Sequence, residues 1–270
     1  MKFALNYSPQ AAELLRSGDI EIDLFKCPDW PDLIAEAAQL RPVYIHFPLV
    51  AGQRNIAKVG LETIAGWRSR TETYYVNTHL GARVEDLPDV NDPDVAVASM
   101  LADVTPLVDC FGADAVMAEN VPYPDMYSDK PQIDIEPEVI RRVIESSGCG
   151  LLLDLAHARL TAEYMGWDVH EYIEQLPVDR LRELHVTGIG PNQKGQHEDH
   201  LPMTDSDWAL FEWALAKIHS GAWPTPWVVA CEYGGIGPIF DWRSEAAVIA
   251  HDIPRMVDLV RTAQPVQVNL

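Results

Sequence analysis

The chain has 270 residues, 47% hydrophobic and 23% charged, so it has an ordinary globular composition and can bury a large core. Its 41 acidic and 20 basic residues give a formal charge of −21, which disfavours nucleic acid and anionic membrane surfaces as partners. No apolar run reaches the roughly 18 residues of a membrane span, and no signal region opens the chain, so we expect a cytoplasmic protein with reduced cysteines.

Short runs rich in Val, Ile, Leu, Tyr and Phe recur along the chain and predict strands. They lie at 3–8, 21–27, 42–47, 73–80, 115–121, 150–158, 181–188 and 227–234. Several of them lack polar alternation, which is typical of strands that are covered on both faces.

Segments with apolar residues three and four positions apart fill the intervals and predict helices. These segments lie at 9–15, 32–40, 56–69, 93–111, 136–147, 167–176, 205–220 and 245–262, with Asp205 as an expected N-cap. Strands that each precede a helix, without a linker between them, predict an α/β fold, a single (β/α)8 TIM barrel over residues 1–270. A doubly wound sheet is the alternative, but the first strand has no glycine-rich phosphate turn after it.

Barrel enzymes place their chemistry at the carboxyl ends of the strands. Strands three to eight of this chain all end in side chains that bind metals: His46, His79, Glu119, Asp154 with His157 just beyond it, His185 and Glu232. The loop after the seventh strand adds His197, Glu198, Asp199 and His200. A buried carboxylate is costly unless a cation compensates it, and this donor set suits zinc, iron or manganese as divalent ions. We therefore predict a site with two or three ions.

Each candidate also has an interpretation without a metal. A lone histidine such as His46 or His79 is often a satisfied core side chain. Glu119 could bind a backbone turn or an arginine, and Asp154 could cap the helix that follows it. The recurrence at six successive strand ends favours the metal interpretation over a set of unrelated structural roles.

Four short motifs resemble those of the xylose-isomerase-like barrels: AEN at 118–120, DLAH at 154–157, LHVTG at 184–188 and CEYGG at 231–235. That superfamily includes sugar isomerases and epimerases, endonuclease IV, and multinuclear non-haem iron enzymes of peptide modification. In the epimerases the resemblance implies one metal held by Glu119, Asp154, His185 and Glu232. It also implies catalytic roles for Glu119 and Glu232, which exchange protons with the substrate carbon, and for His157, which contacts a substrate oxygen.

The endonuclease-type and iron-type members imply additional ligands, which match His46, His79, His157 and an acidic residue two positions before a histidine. Glu198 and His200 match that last pair, although the family has Asp where Glu198 stands, so Asp199 or His197 is an alternative partner. His157 stands where the iron enzymes commonly have Asn, which favours the endonuclease-like arrangement.

The leading hypothesis is a multinuclear metalloenzyme that acts on a small molecule or a peptide. The alternative is a mononuclear Mn- or Mg-dependent sugar or sugar-phosphate isomerase or epimerase. A phosphodiesterase like endonuclease IV is third and is disfavoured by the net charge. A non-enzymatic scaffold remains open, with a docking surface of Trp30, Tyr123, Trp208 and Trp242, and the loop at 123–132 could cover the site or contact a second subunit of an oligomer.

Overall fold

The structure is a computed structural model that describes residues 1–124, 129–192, 195–237 and 243–262; Trp242 lies outside these ranges. Two compact units make up the chain. The first unit comprises Met1–Val43 with Arg182–Leu270, and the second unit comprises Tyr44–Leu181. The expectation of a single domain over the whole chain stays a prediction.

Strands and helices alternate along the chain. The strands are β1 (Lys2–Asn6), β2 (Leu24–Cys27), β3 (Val43–Ile45), β4 (Val50–Ala51), β5 (Val76–Leu80), β6 (Val116–Glu119), β7 (Gly150–Asp154), β8 (Leu181–Val186), β9 (Gly188–Pro191), β10 (His197–Leu201) and β11 (Val228–Cys231). The helices are α1 (Pro9–Ser17), α2 (Pro31–Ala37), α3 (Ile56–Val59), α4 (Leu61–Arg68), α5 (Pro93–Phe111), α6 (Pro137–Ser147), α7 (Leu155–Met165), α8 (Val169–Gln175), α9 (Asp205–His219) and α10 (Ala246–Arg261).

The first unit contains a parallel sheet in the order β2-β1-β11-β8. Asn6 is in register with Lys26, and Cys231 is in register with both Leu5 and Val186. Because parallel strands end at the same edge, this register gathers Lys26, Glu232 and the end of β8 at one edge of the sheet. An antiparallel hairpin of β9 and β10 follows β8.

The second unit contains a parallel sheet in the order β4-β5-β6-β7. Glu119 at the end of β6 is in register with His79 of β5 and with Leu152 of β7. Leu151, Leu152 and Leu153 are fully buried, as expected for a strand covered on both faces. This register places His79 beside Glu119 on neighbouring strands.

Every predicted strand overlaps an observed strand, but the structure corrects four local predictions. Residues 155–158 belong to α7 rather than to a strand, because Asp154 caps that helix and accepts a hydrogen bond from the His157 N–H at 2.8 Å. The predicted helix at 56–69 is divided at Gly60, whose φ of 83° and ψ of 131° are not helical.

The other two corrections concern α9 and the short strands. Thr204, and not Asp205, is the N-cap of α9, and it forms a capping box with Asp207. The strands β4, β9 and β10 were not predicted, because β4 has only two residues and the β9–β10 hairpin lacks a regular apolar alternation. In the described residues no helix is both long and apolar enough to cross a membrane.

The turn after β4 requires a glycine at position 52. Gly52 has a φ of 96°, and a Cβ at this position would lie 2.9 Å from Cα of Ala82 in the turn that follows β5. The carboxylate of Asp103 accepts hydrogen bonds from the Gly52 N–H at 2.8 Å and the Arg54 N–H at 2.9 Å. The turns after β4 and β5 therefore pack directly against each other, backbone on backbone.

We expect Gly52→Ala to lower the free energy of unfolding by about 3 kcal/mol, because it adds a backbone clash to the strain of a positive φ. Gly18→Ala is the matched control, since Gly18 has a φ of 83° and open space around its Cβ position. The control should lose only about 1 kcal/mol. Urea unfolding of both variants measures the difference, and equal losses would contradict the packing described above.

Candidate metal centre

Glu119 lies at the centre of a cluster in the second unit that also contains His46, His79, Asp154 and His157. Its side chain is 1% exposed, and its Oε2 lies 3.5 Å from His46 Nε2 and 3.3 Å from His79 Nε2. Two atoms that are each about 2.1 Å from one ion in tetrahedral geometry lie about 3.4 Å apart. The spacing of this carboxylate and these two imidazoles therefore suits ligands of a common ion.

Backbone carbonyls fix the orientation of two imidazoles in this cluster. Nδ1 of His79 lies 3.0 Å from the carbonyl oxygen of Leu49, and Nδ1 of His157 lies 2.8 Å from that of Asn120. A carbonyl only accepts, so both Nδ1 atoms must donate, and the lone pair of each ring is on Nε2. Histidines that bind metals typically donate their other ring N–H in this way.

The ring of His46 is held differently. The side-chain amide nitrogen of Asn77 lies 3.1 Å from His46 Nε2, and it also donates to the carbonyl of Phe47 at 3.0 Å. The amide oxygen of Asn77 accepts the Phe47 N–H at 2.7 Å. Asn77 thus joins the end of β3 to β5. Because an amide nitrogen only donates, Nε2 of His46 accepts from Asn77, and it would have to give up this hydrogen bond to bind an ion.

Asp154 has two roles in this geometry. Its Oδ1 caps α7, which confirms the alternative interpretation, and the side-chain amide of Asn120 holds its backbone N–H at 2.8 Å and its carbonyl at 3.0 Å. Asp154, Glu119 and His157 nevertheless offer three ligand atoms that lie within 4.8 Å of one another. Capping uses one carboxylate oxygen, so the cap fixes Asp154 in place without excluding a ligand role.

Burial lowers the pKa of His79 below its ordinary value, although the nearby carboxylate of Glu119 acts in the opposite direction. His79 is therefore a neutral imidazole at neutral pH. A metal ligand has to be in that form, since a proton and a metal ion compete for the same lone pair.

A second cluster, in the first unit, surrounds Glu232. Oε1 of Glu232 lies 3.0 Å from His185 Nδ1 and contacts the ammonium of Lys26, and its Oε2 lies 3.9 Å from His200 Nε2. His200 donates its Nδ1–H to the carbonyl of Glu232 at 2.7 Å, as His79 and His157 do with other carbonyls. Glu232 is only 4% exposed, so two imidazoles and an ammonium surround a buried carboxylate.

Burial opposes the ionisation of Glu232, but the positive charges of His185 and Lys26 outweigh it and hold the pKa of Glu232 well below its ordinary value. Glu232 is thus a carboxylate at neutral pH. That state suits a metal ligand better than a residue that exchanges protons near neutral pH.

Two residues of the Glu232 cluster, Lys26 and Glu183, have no role predicted from the sequence. Lys26 ends β2 and is 6% exposed, and Glu183 is fully buried with its Oε1 2.8 Å from His185 Nε2. A sequence signal existed for Glu183: it lies two residues before His185 in a strand, and that spacing puts both side chains on the same face.

Two acidic side chains lie close to His200 along the chain, and their contacts differ. Glu198 lies with its Oε1 3.7 Å from the Arg243 guanidinium, whereas Asp199 Oδ1 lies 3.8 Å from His200 Nε2. The ladder of β9 and β10 shifts register between Glu198 and Leu201, and His200 has a φ of 57°. This bulge interrupts the regular alternation of side chains along β10. The ligand roles of Glu198, Asp199 and His200 stay predictions.

The described aromatic residues of the suggested docking surface have different environments. Trp30 is 50% exposed, but Trp208 is 6% exposed and packs under the guanidinium of Arg255 at 3.8 Å. The ring of Tyr123 packs edge-on against Tyr164, with 5.4 Å between the centroids. Trp208 is therefore a packing residue.

Comparison with known proteins gives a family match and a fold match. The model of a family described as the RiPP precursor modification enzyme MbnB/TglH/ChrH matches residues 50–226. A protein of Caulobacter sp. (strain K31), named UPF0276 protein, is 27% identical over 147 residues, which are 53% of this chain and 52% of that protein. The chain thus spans about half the length of the first curated relatives that it matches.

Two solved structures show the fold. The IolI protein with a bound zinc atom has a TM-score of 0.60 and 17% identity, and the match covers 96% of this chain and 98% of that chain. D-psicose 3-epimerase from Clostridium cellulolyticum H10, solved with D-tagatose, has a TM-score of 0.56 and 13% identity over 97% of this chain and 98% of that chain. These matches confirm the predicted TIM-barrel fold class.

We expect Lys26→Met to lower the free energy of unfolding of the metal-free protein by about 3 kcal/mol, because it leaves Glu232 buried without its ammonium partner. The depressed pKa of Glu232 stabilises the fold at neutral pH, and this contribution is lost as the pH falls through the folded-state pKa. The variant should therefore lose less stability than the wild type on acidification.

Arg142→Met is the control, because Arg142 pairs with Asp94 at 2.6 Å on the surface. An exposed pair of this kind contributes about 1 kcal/mol or less. Denaturant unfolding at several pH values measures both variants, and a loss for Lys26→Met as small as that of the control would contradict the buried pair.

Proposed function

Because the chain belongs to the family of RiPP precursor modification enzymes MbnB/TglH/ChrH, we propose that it is a metal-dependent enzyme that modifies a precursor peptide at a centre of two or three ions. Family membership confirms the predicted enzyme of the xylose-isomerase-like superfamily. The peptide substrate, the number of ions and their identity are the parts that we propose.

The surroundings of Glu119 are the observation that carries the multinuclear proposal. Nε2 of His46 and Nε2 of His79 lie 3.5 and 3.3 Å from its Oε2, and the ring of His157 lies beside its Oε1, with Nδ1 at 3.6 Å. A mononuclear site of two glutamates, one aspartate and one histidine has no use for His46 and His79. A carboxylate has two oxygens and can bridge two ions, so three imidazoles around one glutamate suit a centre with more than one ion.

We propose that the ions bind side chains at the carboxyl ends of the strands, where barrel enzymes place their chemistry. The proposed ligands are His46, His79, Glu119, Asp154, His157, His185, Glu198, His200 and Glu232, with Asp199 as the alternative to Glu198. Bound ions would supply Lewis-acid chemistry, and iron would add redox chemistry.

The residues of the chain prepare the site in two ways. Nδ1 of His79, His157 and His200 donates to backbone carbonyls, so a metal ion would bind these rings through Nε2. Burial keeps water from Glu119 and Glu232. Of the three predicted catalytic residues, Glu232 is held ionised by Lys26, so we assign it as a ligand. Glu119 and His157 remain the candidates for proton transfer, His157 through Nε2.

The mononuclear isomerase or epimerase remains the alternative. It needs a glutamate that removes a proton from a sugar carbon, and the contact of Glu232 with Lys26 makes Glu232 a weak base. We also propose a cytoplasmic location, which is supported by four free cysteines. Cys231 belongs to the core, where burial raises the pKa of its thiol to about 12.

Elemental analysis of protein purified without added metal tests the multinuclear proposal. We expect about two or three equivalents per chain, as several carboxylates and imidazoles share one site. Iron would favour oxidation of the peptide and zinc would favour hydrolysis. About one equivalent of Mn or Mg would contradict the proposal and support the isomerase alternative.

His79→Ala should lower the metal content by about one equivalent and leave the fold intact, because His79 is a partly exposed side chain at a strand end. His251→Ala is the control, as His251 lies on α10 and is 77% exposed. Metal content and circular dichroism are measured on both variants. An unchanged metal content in His79→Ala would show that His79 is structural.

A further inference from the structure

The ring of His185 is held between two carboxylates in the first unit. Its Nε2 lies 2.8 Å from Glu183 Oε1, and its Nδ1 lies 3.0 Å from Glu232 Oε1. His185 and Glu183 are fully buried, and Glu232 is 4% exposed, so water does not compete for either nitrogen.

The ring of His185 is oriented in the opposite way to the rings of three other histidines. His79, His157 and His200 donate from Nδ1 to backbone carbonyls, so a metal ion would bind each of these rings through Nε2. In His185 Nε2 donates to Glu183, and Nδ1 faces the proposed ligand Glu232, where a bound ion would replace the proton on Nδ1. Compared with those three histidines, the two ring nitrogens of His185 have exchanged roles.

We propose that Glu183 is a positioning residue that keeps a proton on Nε2 of His185 and so makes Nδ1 the metal-binding atom. This inference rests on the proposed function. It assigns to Glu183 the part that backbone carbonyls have for the other three histidines.

The strand geometry explains why a side chain is needed here. Successive side chains of a strand point to opposite faces, so Glu183 and His185 of β8 share one face. The backbone groups of β8 are occupied in the ladder with β11, in which His185 is in register with Ala230. The carbonyls of the paired strands are held in the ladder and cannot turn toward the ring. The carboxylate of Glu183, two residues before His185, can reach Nε2.

A carboxylate also has a stronger effect than a carbonyl. A charged acceptor forms a shorter and stronger hydrogen bond, and it raises the basicity of the opposite ring nitrogen. The ammonium of Lys26 contacts Glu232, so the row Glu183, His185, Glu232, Lys26 alternates acidic and basic groups. This alternation offsets the cost of burying two carboxylates next to each other.

The test uses Glu183→Gln and Glu183→Leu. The amide oxygen of Gln still accepts the Nε2–H but lacks the charge, whereas Leu removes the acceptor. Asp252→Asn is the matched control, since Asp252 pairs with His251 Nδ1 at 2.8 Å on α10.

Each protein is loaded with a spin-active cadmium isotope, and the coupling of cadmium to the ring protons of His185 shows which nitrogen binds. His185→Gln assigns the signal, and competition with a chelating dye gives the affinity for zinc.

We expect the wild type and Glu183→Gln to couple through Nδ1, and Glu183→Gln to bind zinc about 10-fold more weakly. Glu183→Leu should lose the Nδ1 coupling, and Asp252→Asn should match the wild type in both measurements. Glu183→Gln serves alone if Glu183→Leu does not fold.

Three results would overturn the inference. They are coupling through Nε2 in the wild type, retained Nδ1 coupling in Glu183→Leu, and wild-type zinc affinity in Glu183→Gln. A wild-type protein that binds neither cadmium nor zinc would instead refute the proposed function, and the inference would fall with it.

Discussion

The burial of one carboxyl side chain, that of Glu119, is the constraint on which the site depends. Glu119 ends a fully buried strand, and imidazoles of His46 and His79 lie 3.5 and 3.3 Å from one of its oxygens. Burial keeps His79 neutral, so this imidazole does not supply a compensating positive charge at neutral pH. A divalent cation would supply that charge and would use the lone pair of the same imidazole.

The surrounding chain fixes the orientation of the imidazoles as well as that of the carboxylates. Nδ1 donates to the carbonyl of Leu49 in His79 and to that of Asn120 in His157, and Glu183 takes the corresponding place for His185. Each of these acceptors lies in a strand or directly beside one, where the backbone is fixed by the sheet. A site assembled in this way has its donor atoms oriented before any ion arrives, which lowers the entropic cost of binding.

The sequence predicts the strand ends well, because strand ends are fixed by buried apolar runs such as Leu151–153. His79 and Glu119 were expected together and are in register. Apolar runs do not predict how the side chains at the strand ends are oriented. The bulge near His200 depends on a local φ of 57°, and it brings Asp199 rather than Glu198 next to that ring. Glu183 and Lys26 have roles only because neighbouring strands bring them to His185 and Glu232.

The most direct test of a metal centre at these strand ends is anomalous diffraction from crystals of the protein as purified. Data collected on both sides of the absorption edge of the metal that it contains locate each ion. Peaks of anomalous density beside the carboxylates of Glu119 and Glu232, with His79 and His185 as nitrogen ligands, are the predicted result. No anomalous density at either carboxylate, after the crystals have been supplied with iron, zinc and manganese, would contradict it.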